Sequence, residues 1–321
     1  MARLTLALLG GFQGRLGDAA SLTLPTRKTK ALLAFLALPP GRSHPRANLA
    51  ALLWGDLPEP QARRSLRQSL FALRRAMSVE LSALLIEGET IALNPHSVDV
   101  DVAEFERGVA HGTPAALERA ATLYRGELLQ GLALREAAFE EWLLAERERL
   151  HELALEALAK LLRHQRAAGA PEAALQTALR LLALDPLQEP VHRAVMSLYV
   201  ELGRRASALR QYQICLGVLQ RDLAVEPEMT TKRLYQEILR QRPSHAGMNV
   251  ESLVPMPTMP VPASRLPEES LPRELPLIGR ETEIHRLREA LNRAWEGHGQ
   301  VVAVSGEAGV GKSRLVAEVA S

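Results

Sequence analysis

Residues 61–77 read Gln-Ala-Arg-Arg-Ser-Leu-Arg-Gln-Ser-Leu-Phe-Ala-Leu-Arg-Arg-Ala-Met. The spacing of the apolar residues predicts an amphipathic helix, because side chains three and four positions apart lie on one helix face. The predicted buried stripe consists of Leu66, Leu70, Leu73 and Met77. At about 100° per residue, the opposite face carries Arg64, Gln68, Phe71 and Arg75.

The exposed face of this helix is basic and lacks acidic residues. Five arginines fall between residues 63 and 75, and no Asp or Glu occurs between Glu59 and Glu80. Arginine, glutamine and an apolar ring suit guanine, adenine and the thymine methyl group in a DNA major groove. Arg67 and Arg74 flank the face and are predicted to contact phosphates. A merely solvated helix face would interleave acids with its arginines, so the pattern favours DNA reading.

The segments on both sides of this helix predict a winged helix-turn-helix. Proline and glycine clusters separate short apolar runs and helical patterns. The predicted elements are strands at about 4–8 and 21–24, helices at about 27–38, 46–54 and 61–77, and a hairpin at 84–93 with a Glu-Gly-Glu turn. Strands, three helices and a terminal hairpin follow the order of that fold.

Charged residues outside this helix, at the start of the first helix and at the hairpin tip, each allow two interpretations. Residues 1–100 hold 12 Arg or Lys against 7 Asp or Glu, which indicates an anionic partner for this part of the chain. Arg27, Lys28 and Lys30 either contact DNA phosphates or form an ordinary solvated helix start. Glu87 and Glu89 at the hairpin tip would be repelled by a minor groove, so the wing either rests on the protein or contacts DNA weakly.

Residues 101–242 are predicted to form an all-helical repeat domain that folds independently of the rest. Asp101 and Glu104 have the spacing of a helix capping box. Gly169 recurs as Gly203 at an offset of 34 residues, and the following Ala-Leu pair recurs with it. That offset is the tetratricopeptide period, in which stacked helix pairs bury a continuous apolar seam.

The last segments predict a linker and the start of a nucleotide-binding module. Residues 243–276 contain eight prolines and form a semi-extended linker. After an apolar strand at 301–305 comes a Walker A pattern, whose glycines let backbone N–H groups cradle phosphates. Lys312 would reach the β/γ-phosphates of ATP, and Ser313 would ligate Mg²⁺. The predicted nucleotide-binding residues are Gly306, Glu307, Ala308, Gly309, Val310, Gly311, Lys312 and Ser313.

The remaining parts of an ATPase are not found after this loop. Hydrolysis needs an acidic metal ligand on a later strand, a water-positioning residue and an arginine finger, and nine residues after Lys312 do not supply them. We therefore expect this chain to be the front part of a longer protein. ATP and Mg²⁺ would bind only to the longer protein, and no catalytic residues are assigned here.

Composition excludes several other classes of protein. The single cysteine, Cys215, rules out an internal disulfide and a cysteine-based zinc site, and the nine histidines form no metal-binding motif. No apolar run approaches the roughly 20 residues needed to cross a bilayer. The short apolar start at residues 4–9 is better interpreted as a strand than as a signal peptide. These features predict a cytoplasmic protein without a membrane partner.

Three stretches carry a family resemblance. They are Leu49-Ala-Ala-Leu-Leu-Trp-Gly-Asp56 with the helix at 62–75, Val98-Asp-Val-Asp-Val-Ala-Glu-Phe105, and the stretch 221–239. Together they resemble the bacterial antibiotic-regulatory (SARP) activators, with an OmpR-type winged helix and a bacterial transcriptional activator domain. Leu277-Ile-Gly-Arg-Glu281 with the P-loop resembles the entry to a signal-transduction ATPase of the STAND class.

The resemblance implies a mainly α protein with four parts. These are a winged helix-turn-helix (1–100), a helical activator domain (101–242), the linker (243–276) and the start of an α/β ATPase (277–321). It also implies an activator of promoter DNA that contacts RNA polymerase, self-associates on direct repeats and is gated by the nucleotide module. The alternative is a nucleotide-dependent signalling ATPase in which the repeats are a protein scaffold and the basic helix is incidental.

Overall fold

The computed structural model describes residues 3–17, 20–77, 83–240, 285–289 and 292–293. The chain divides into two compact units, Met1–Ala246 and Gly247–Ser321. In the second unit, helical backbone is described at 285–289 and 292–293. The predicted linker and the Walker A loop at 306–313 lie outside the described residues.

The first hundred residues fold into a winged helix-turn-helix, as the order of elements predicted. The helices begin where the sequence provides a start signal: the Thr26 hydroxyl accepts a hydrogen bond from the Thr29 N–H, and Pro60 occupies the first turn of the central helix. The elements are β1 (Leu4–Ala7), β2 (Gln13–Leu16), β3 (Ala20–Ser21), α1 (Arg27–Leu36), β4 (His44–Pro45), α2 (Arg46–Trp54), α3 (Glu59–Ala76), β5 (Leu84–Glu87), β6 (Thr90–Leu93) and β7 (Val98–Val100).

Two small sheets flank the three helices. The first has the order β3-β2-β1-β7, with β1 antiparallel to β2 and parallel to β7. The second has the order β4-β6-β5 and contains the predicted hairpin, which turns at Gly88 with a positive φ of 55°. The sequence did not indicate β2, β4 or β7, and it placed β3 too far along the chain. β3, β4 and β7 have only two or three residues, and β2 reads Gln-Gly-Arg-Leu with a single apolar side chain, so none of them shows an alternating pattern of usual strand length.

Residues 101–240 are mainly helical, as predicted. The helices are α4 (Asp101–His111), α5 (Pro114–Leu123), α6 (Ala137–Ala167), α7 (Pro171–Leu184), α8 (Glu189–Glu201), α9 (Arg205–Leu223) and α10 (Met229–Arg240). The two glycines that recur at an offset of 34 residues lie in two equivalent turns between helices. Gly169 and Gly203 have φ values of 65° and 71°, and each follows a helix.

The same hydrogen bond closes both glycine turns. The N–H of Ala170 donates to the Gln165 carbonyl at 3.0 Å, and the N–H of Arg204 donates to the Tyr199 carbonyl at 2.7 Å. This six-to-one bond is typical of a helix that ends on a left-handed glycine. The repeat in the sequence therefore records a repeated helix-turn-helix geometry.

One apolar core joins the winged helix to the helical part. It runs without a break from Leu4 in β1 through Trp54 and Phe139 to Leu198 in α8. The expectation that residues 101–242 form a unit independent of the rest disagrees with this packing. A small second cluster lies between α8, α9 and α10, around Met196 and Ile238.

Asp101 corrects another expectation. Its side chain does not cap α4, whose N-cap is Val100 without a side-chain bond. Instead the Asp101 carboxylate accepts hydrogen bonds from the backbone N–H groups of Leu8 and Leu9, at 2.9 and 3.0 Å. Only about 8% of this residue is exposed, so it fastens the end of β1 to the start of α4 inside the molecule.

Candidate nucleic-acid interface

The central helix α3 has the two faces that the sequence predicted. Leu66, Leu70, Leu73 and Met77 are all less than 5% exposed and face the core. The side chains of the opposite face are exposed: Arg64, Gln68, Phe71 and Arg75. The flanking Arg67 and Arg74 are exposed as well. The amphipathic pattern of α3 is therefore confirmed.

The exposed arginines of α3 differ in whether they have a partner. Arg63 forms an ion pair with Glu59, one turn earlier, at 2.6 Å. Arg64, Arg67, Arg74 and Arg75 make no hydrogen bond or ion pair within the part of the chain that the structure describes. Four unpaired guanidinium groups on one helix form a surface of positive charge, which attracts a polyanion.

Phe71 lies in the middle of this charged face and is 69% exposed. Its ring adds nothing to the core, since Leu70 and Leu73 on the other face fill it. An exposed aromatic ring between arginines is typical of a surface that touches a partner with both charged and apolar groups. A DNA major groove offers both, because each thymine presents a methyl group there.

The three basic residues at the start of α1 do not share one environment. Lys28 forms an ion pair with Glu136, whose side chain is 8% exposed, and its ammonium lies 5.5 Å from the Trp54 ring centroid. Its charge is thus already paired inside the protein, which disfavours the predicted phosphate contact. The ammonium of Lys30 lies 5.8 Å from the Phe12 ring, and Arg27 is exposed.

The hairpin tip rests on the protein, which was one of the two interpretations left open. The backbone N–H of Arg46 donates to the Glu89 carbonyl at 2.8 Å, and its guanidinium donates to the Gly88 carbonyl at 3.3 Å. Arg46 thus ties the wing to the start of α2. Sequence reasoning missed this residue, although its position directly after Pro45 at a helix start was a possible signal.

A shallow cleft lies between the wing tip and the start of α3. Its volume is about 490 Å³, and Arg46, Arg63, Arg67, Glu59 and Glu89 line it. Glu89 lines the same cleft as Arg67, so an acidic residue of the wing tip adjoins the basic face.

Two other kinds of site are absent from the described residues. No group of three or more His, Cys, Asp or Glu side chains is arranged to hold a metal ion in that part of the chain. Among the described helices, none is long and apolar enough to span a membrane.

A winged helix-turn-helix with four unpaired arginines on one exposed helix, packed on an all-helical part, defines a class of transcriptional regulator. The comparisons with known proteins agree with this class. Residues 96–239 match the model of the bacterial transcriptional activator domain, and residues 276–321 match the model of an AAA ATPase domain. Over residues 96–239 the chain is therefore similar to bacterial transcriptional regulators that carry this activator domain.

The alignments with individual relatives cover two thirds or more of this chain. Regulatory protein AfsR of Streptomyces coelicolor is 28% identical over 94% of this chain and 31% of its own length. Transcriptional regulator RedD of the same species is 27% identical over 67% of this chain and 65% of its own length. The chain thus spans about a third of the length of the AfsR proteins.

A solved structure shows the same fold. The structure of Mycobacterium tuberculosis EmbR in complex with a low-affinity phosphopeptide has a TM-score of 0.56 and 25% sequence identity. The similarity covers 76% of this chain and 66% of EmbR.

Proposed function

We propose that this chain regulates transcription by inserting α3 into the major groove of promoter DNA. The observation that carries the proposal is the exposed face of Arg64, Gln68, Phe71 and Arg75 opposite the buried leucine stripe. A helix fits the major groove and can present such side chains to base edges. The match of residues 96–239 to the bacterial transcriptional activator domain, which does not include α3, supports the same function.

Each side chain of this face has a proposed role. Arg64 and Arg75 read guanine, Gln68 reads adenine, and Phe71 packs on a thymine methyl group. The flanking Arg67 and Arg74 contact phosphates and set the register of the helix. Arg27 and Lys30 at the start of α1 remain proposed phosphate contacts, whereas Lys28 is withdrawn from the set.

The proposed partners follow from the class of protein. The regulator acts in the cytoplasm on double-stranded promoter DNA, contacts RNA polymerase and self-associates on direct repeats. The winged helix and the helical part share one apolar core. This shared core supports a rigid connection between the exposed face of α3, which would read DNA, and the helical part, which would contact other proteins.

The first prediction tests base reading by α3. A preferred site is selected from random DNA with the 321-residue chain, and the affinities of variants are then measured by titration. Arg64→Ala should cost about 1–3 kcal/mol on that site and relax the preference at one base position. Arg74→Ala should weaken all sequences alike and lower the salt dependence by about one counterion.

Arg63→Ala is the matched control, because this neighbouring arginine is already paired with Glu59. It should cost less than Arg64→Ala and leave the base preference unchanged. Equal losses for the two variants on specific and random DNA would contradict base reading by this face. Absence of DNA binding at low salt would overturn the regulator function altogether.

A nucleotide-binding module belongs to the proposal because residues 276–321 match an AAA ATPase domain. We propose that Gly306 to Ser313 bind the phosphates of ATP with Mg²⁺ in the longer protein and that this binding gates the regulator. The alternative function, a signalling ATPase with a repeat scaffold, has the support of the same match. The unpaired basic face of α3 favours the regulator, because a scaffold has no need of it.

The second prediction concerns this module. By calorimetry, ATP should bind the 321-residue chain weakly or not at all, and phosphate release should not be measurable. A version extended with downstream sequence should bind ATP in the presence of Mg²⁺. Lys312→Ala should remove most of that binding, because it deletes the charge that meets the β/γ-phosphates. Steady turnover by the short chain that Lys312→Ala abolishes would contradict the proposal.

A further inference from the structure

A half-open cavity lies where the winged helix meets the helical part. Its volume is about 620 Å³, within the range of about 300–1,000 Å³ of small-molecule sites. The end of α1, the loop after it, β4 and α2 form one side, and α4 and α6 form the other. The side chains that matter for its chemistry are Phe35, His44, Asn48, Ala103, Trp142 and Arg149.

One wall of the cavity is aromatic and firmly held. The ring centroid of Phe35 lies 4.8 Å from that of Trp142, with the planes at 67°, and 4.9 Å from that of His44. Trp142 also contacts the fully buried Phe139 at 5.3 Å. One edge-to-face and two tilted ring contacts restrict the orientation of these rings, so the wall offers preformed apolar surface at little entropic cost.

The other wall is polar but carries balanced charge. The Arg149 guanidinium is 2.7 Å from the Glu106 carboxylate and 2.7 Å from the Glu146 carboxylate. Arg42 stands at the exposed rim, so the lining holds two cations and two anions in all. A polyphosphate would meet Arg42 as its only cation without an acidic partner within the described residues, so the charge does not suit a nucleotide.

His44 contributes a neutral polar ring. Burial, with the nearby charge of Arg42, lowers the pKa of its imidazole, so the ring is uncharged at pH 7. Its buried Nε2 atom has no hydrogen-bond partner within the described residues. Such an unused polar group is uncommon in a folded protein, where more than nine in ten buried polar groups are paired.

The cavity contrasts with the packing beside it. The same two parts of the molecule are joined by the fully buried Leu53 of α2 and Phe139 of α6 within one core. Protein interiors leave few voids larger than a water molecule. On the α4 side the cavity is lined by Ala103, whose side chain is a single methyl group and leaves the space open.

We propose that this cavity binds an uncharged, flat aromatic small molecule. Its rings pack against Phe35 and Trp142, and its hydrogen-bonding groups face Asn48 and the Arg149 cluster. Because the walls come from both the winged helix and the helical part, the bound molecule stabilises the contact between them. This site is separate from the α3 face and does not depend on DNA binding.

The test uses N-phenyl-1-naphthylamine, a neutral fused aromatic dye that fluoresces in apolar surroundings, with the full 321-residue chain and no DNA. The dye should bind saturably, quench tryptophan emission and raise the melting temperature as its concentration increases. Ala103→Trp fills the cavity from α4 and should weaken the affinity at least tenfold. Ala110→Trp, an exposed position two turns along the same helix, is the matched control and should leave it unchanged.

If Ala103→Trp does not fold, Asn48→Trp gives the same test, because a tryptophan at position 48 covers the exposed rim of the cavity. Its control is Ala51→Trp, at an exposed position on the same helix. Weaker dye binding in the lining variants alone supports the proposal. Absence of saturable binding, or equal affinity in a folded lining variant and its control, overturns it. Neither result bears on DNA binding, which is measured separately by titration.

Discussion

At the scale of single residues, the partner of a basic side chain decides its role. Lys28 and Arg64 both belong to the basic first hundred residues, yet Lys28 pairs with buried Glu136 and Arg64 has no partner in the described structure. Glu136 lies 108 positions further along the chain. No local pattern in the sequence could reveal such a pair.

The third prediction concerns this ion pair. Lys28→Met should lower the free energy of unfolding by about 1–3 kcal/mol, because it leaves the Glu136 carboxylate buried and unpaired. The double variant Lys28→Met/Glu136→Met should recover part of that loss, since no lone charge then remains. Urea unfolding of the wild type, both single variants and the double variant measures the coupling.

DNA titration of the same Lys28→Met protein separates the two roles considered for this lysine. Below its unfolding transition, the variant should bind DNA with unchanged salt dependence. If the slope of log affinity against log salt concentration fell by about one counterion instead, Lys28 would return to the proposed phosphate contacts.

At the scale of elements, α3 and α4 show how far a sequence pattern reaches. The two faces of α3 follow from local spacing alone, because a helix places residues three and four apart on one side. The pair Asp101 and Glu104 has equally good local spacing for a capping box, yet the carboxylate of Asp101 binds β1. The bond with two backbone N–H groups of a distant strand outweighs the local alternative.

The fourth prediction tests this link between β1 and α4. Asp101→Ala should lower the free energy of unfolding by about 2–4 kcal/mol, because the N–H groups of Leu8 and Leu9 lose their acceptor while buried. Asp101→Asn keeps one acceptor oxygen and should cost less. Glu104→Ala is the control and should change the free energy by no more than about 0.5 kcal/mol, as an exposed residue without a cap role. A capping box would make the Glu104 variant costly as well, so denaturant unfolding of all three proteins decides between the two interpretations.

At the scale of the whole molecule, the winged helix and the helical part behave as one packed body. The core is continuous from β1 to α8, and Asp101 and Lys28 add polar links between the two parts. A division at residue 100 remains a useful description of the sequence. It does not mark a gap in the packing.

The fifth prediction is that the first unit unfolds cooperatively. Circular dichroism reports mainly on the helical part, and tryptophan fluorescence reports on Trp54 and Trp142 once Trp295→Phe removes the third tryptophan. The two thermal transitions should coincide, as expected for a single cooperative unit. Two separated transitions would instead support the independent helical domain that the sequence suggested.

The sequence by itself determined the helices, the order of the winged helix-turn-helix, the 34-residue repeat and the exposed basic face of α3. Each of these depends on spacing within one segment, where the period of a helix and the conformations of glycine and proline act directly. Only the tertiary structure decided that Lys28 is bound to Glu136, that Asp101 fastens β1, that the wing tip rests on Arg46 and that an aromatic cavity opens beside α6. These features join residues that lie far apart in the chain, and the free energy that selects them comes from burial and from satisfying buried polar groups, which no local spacing encodes.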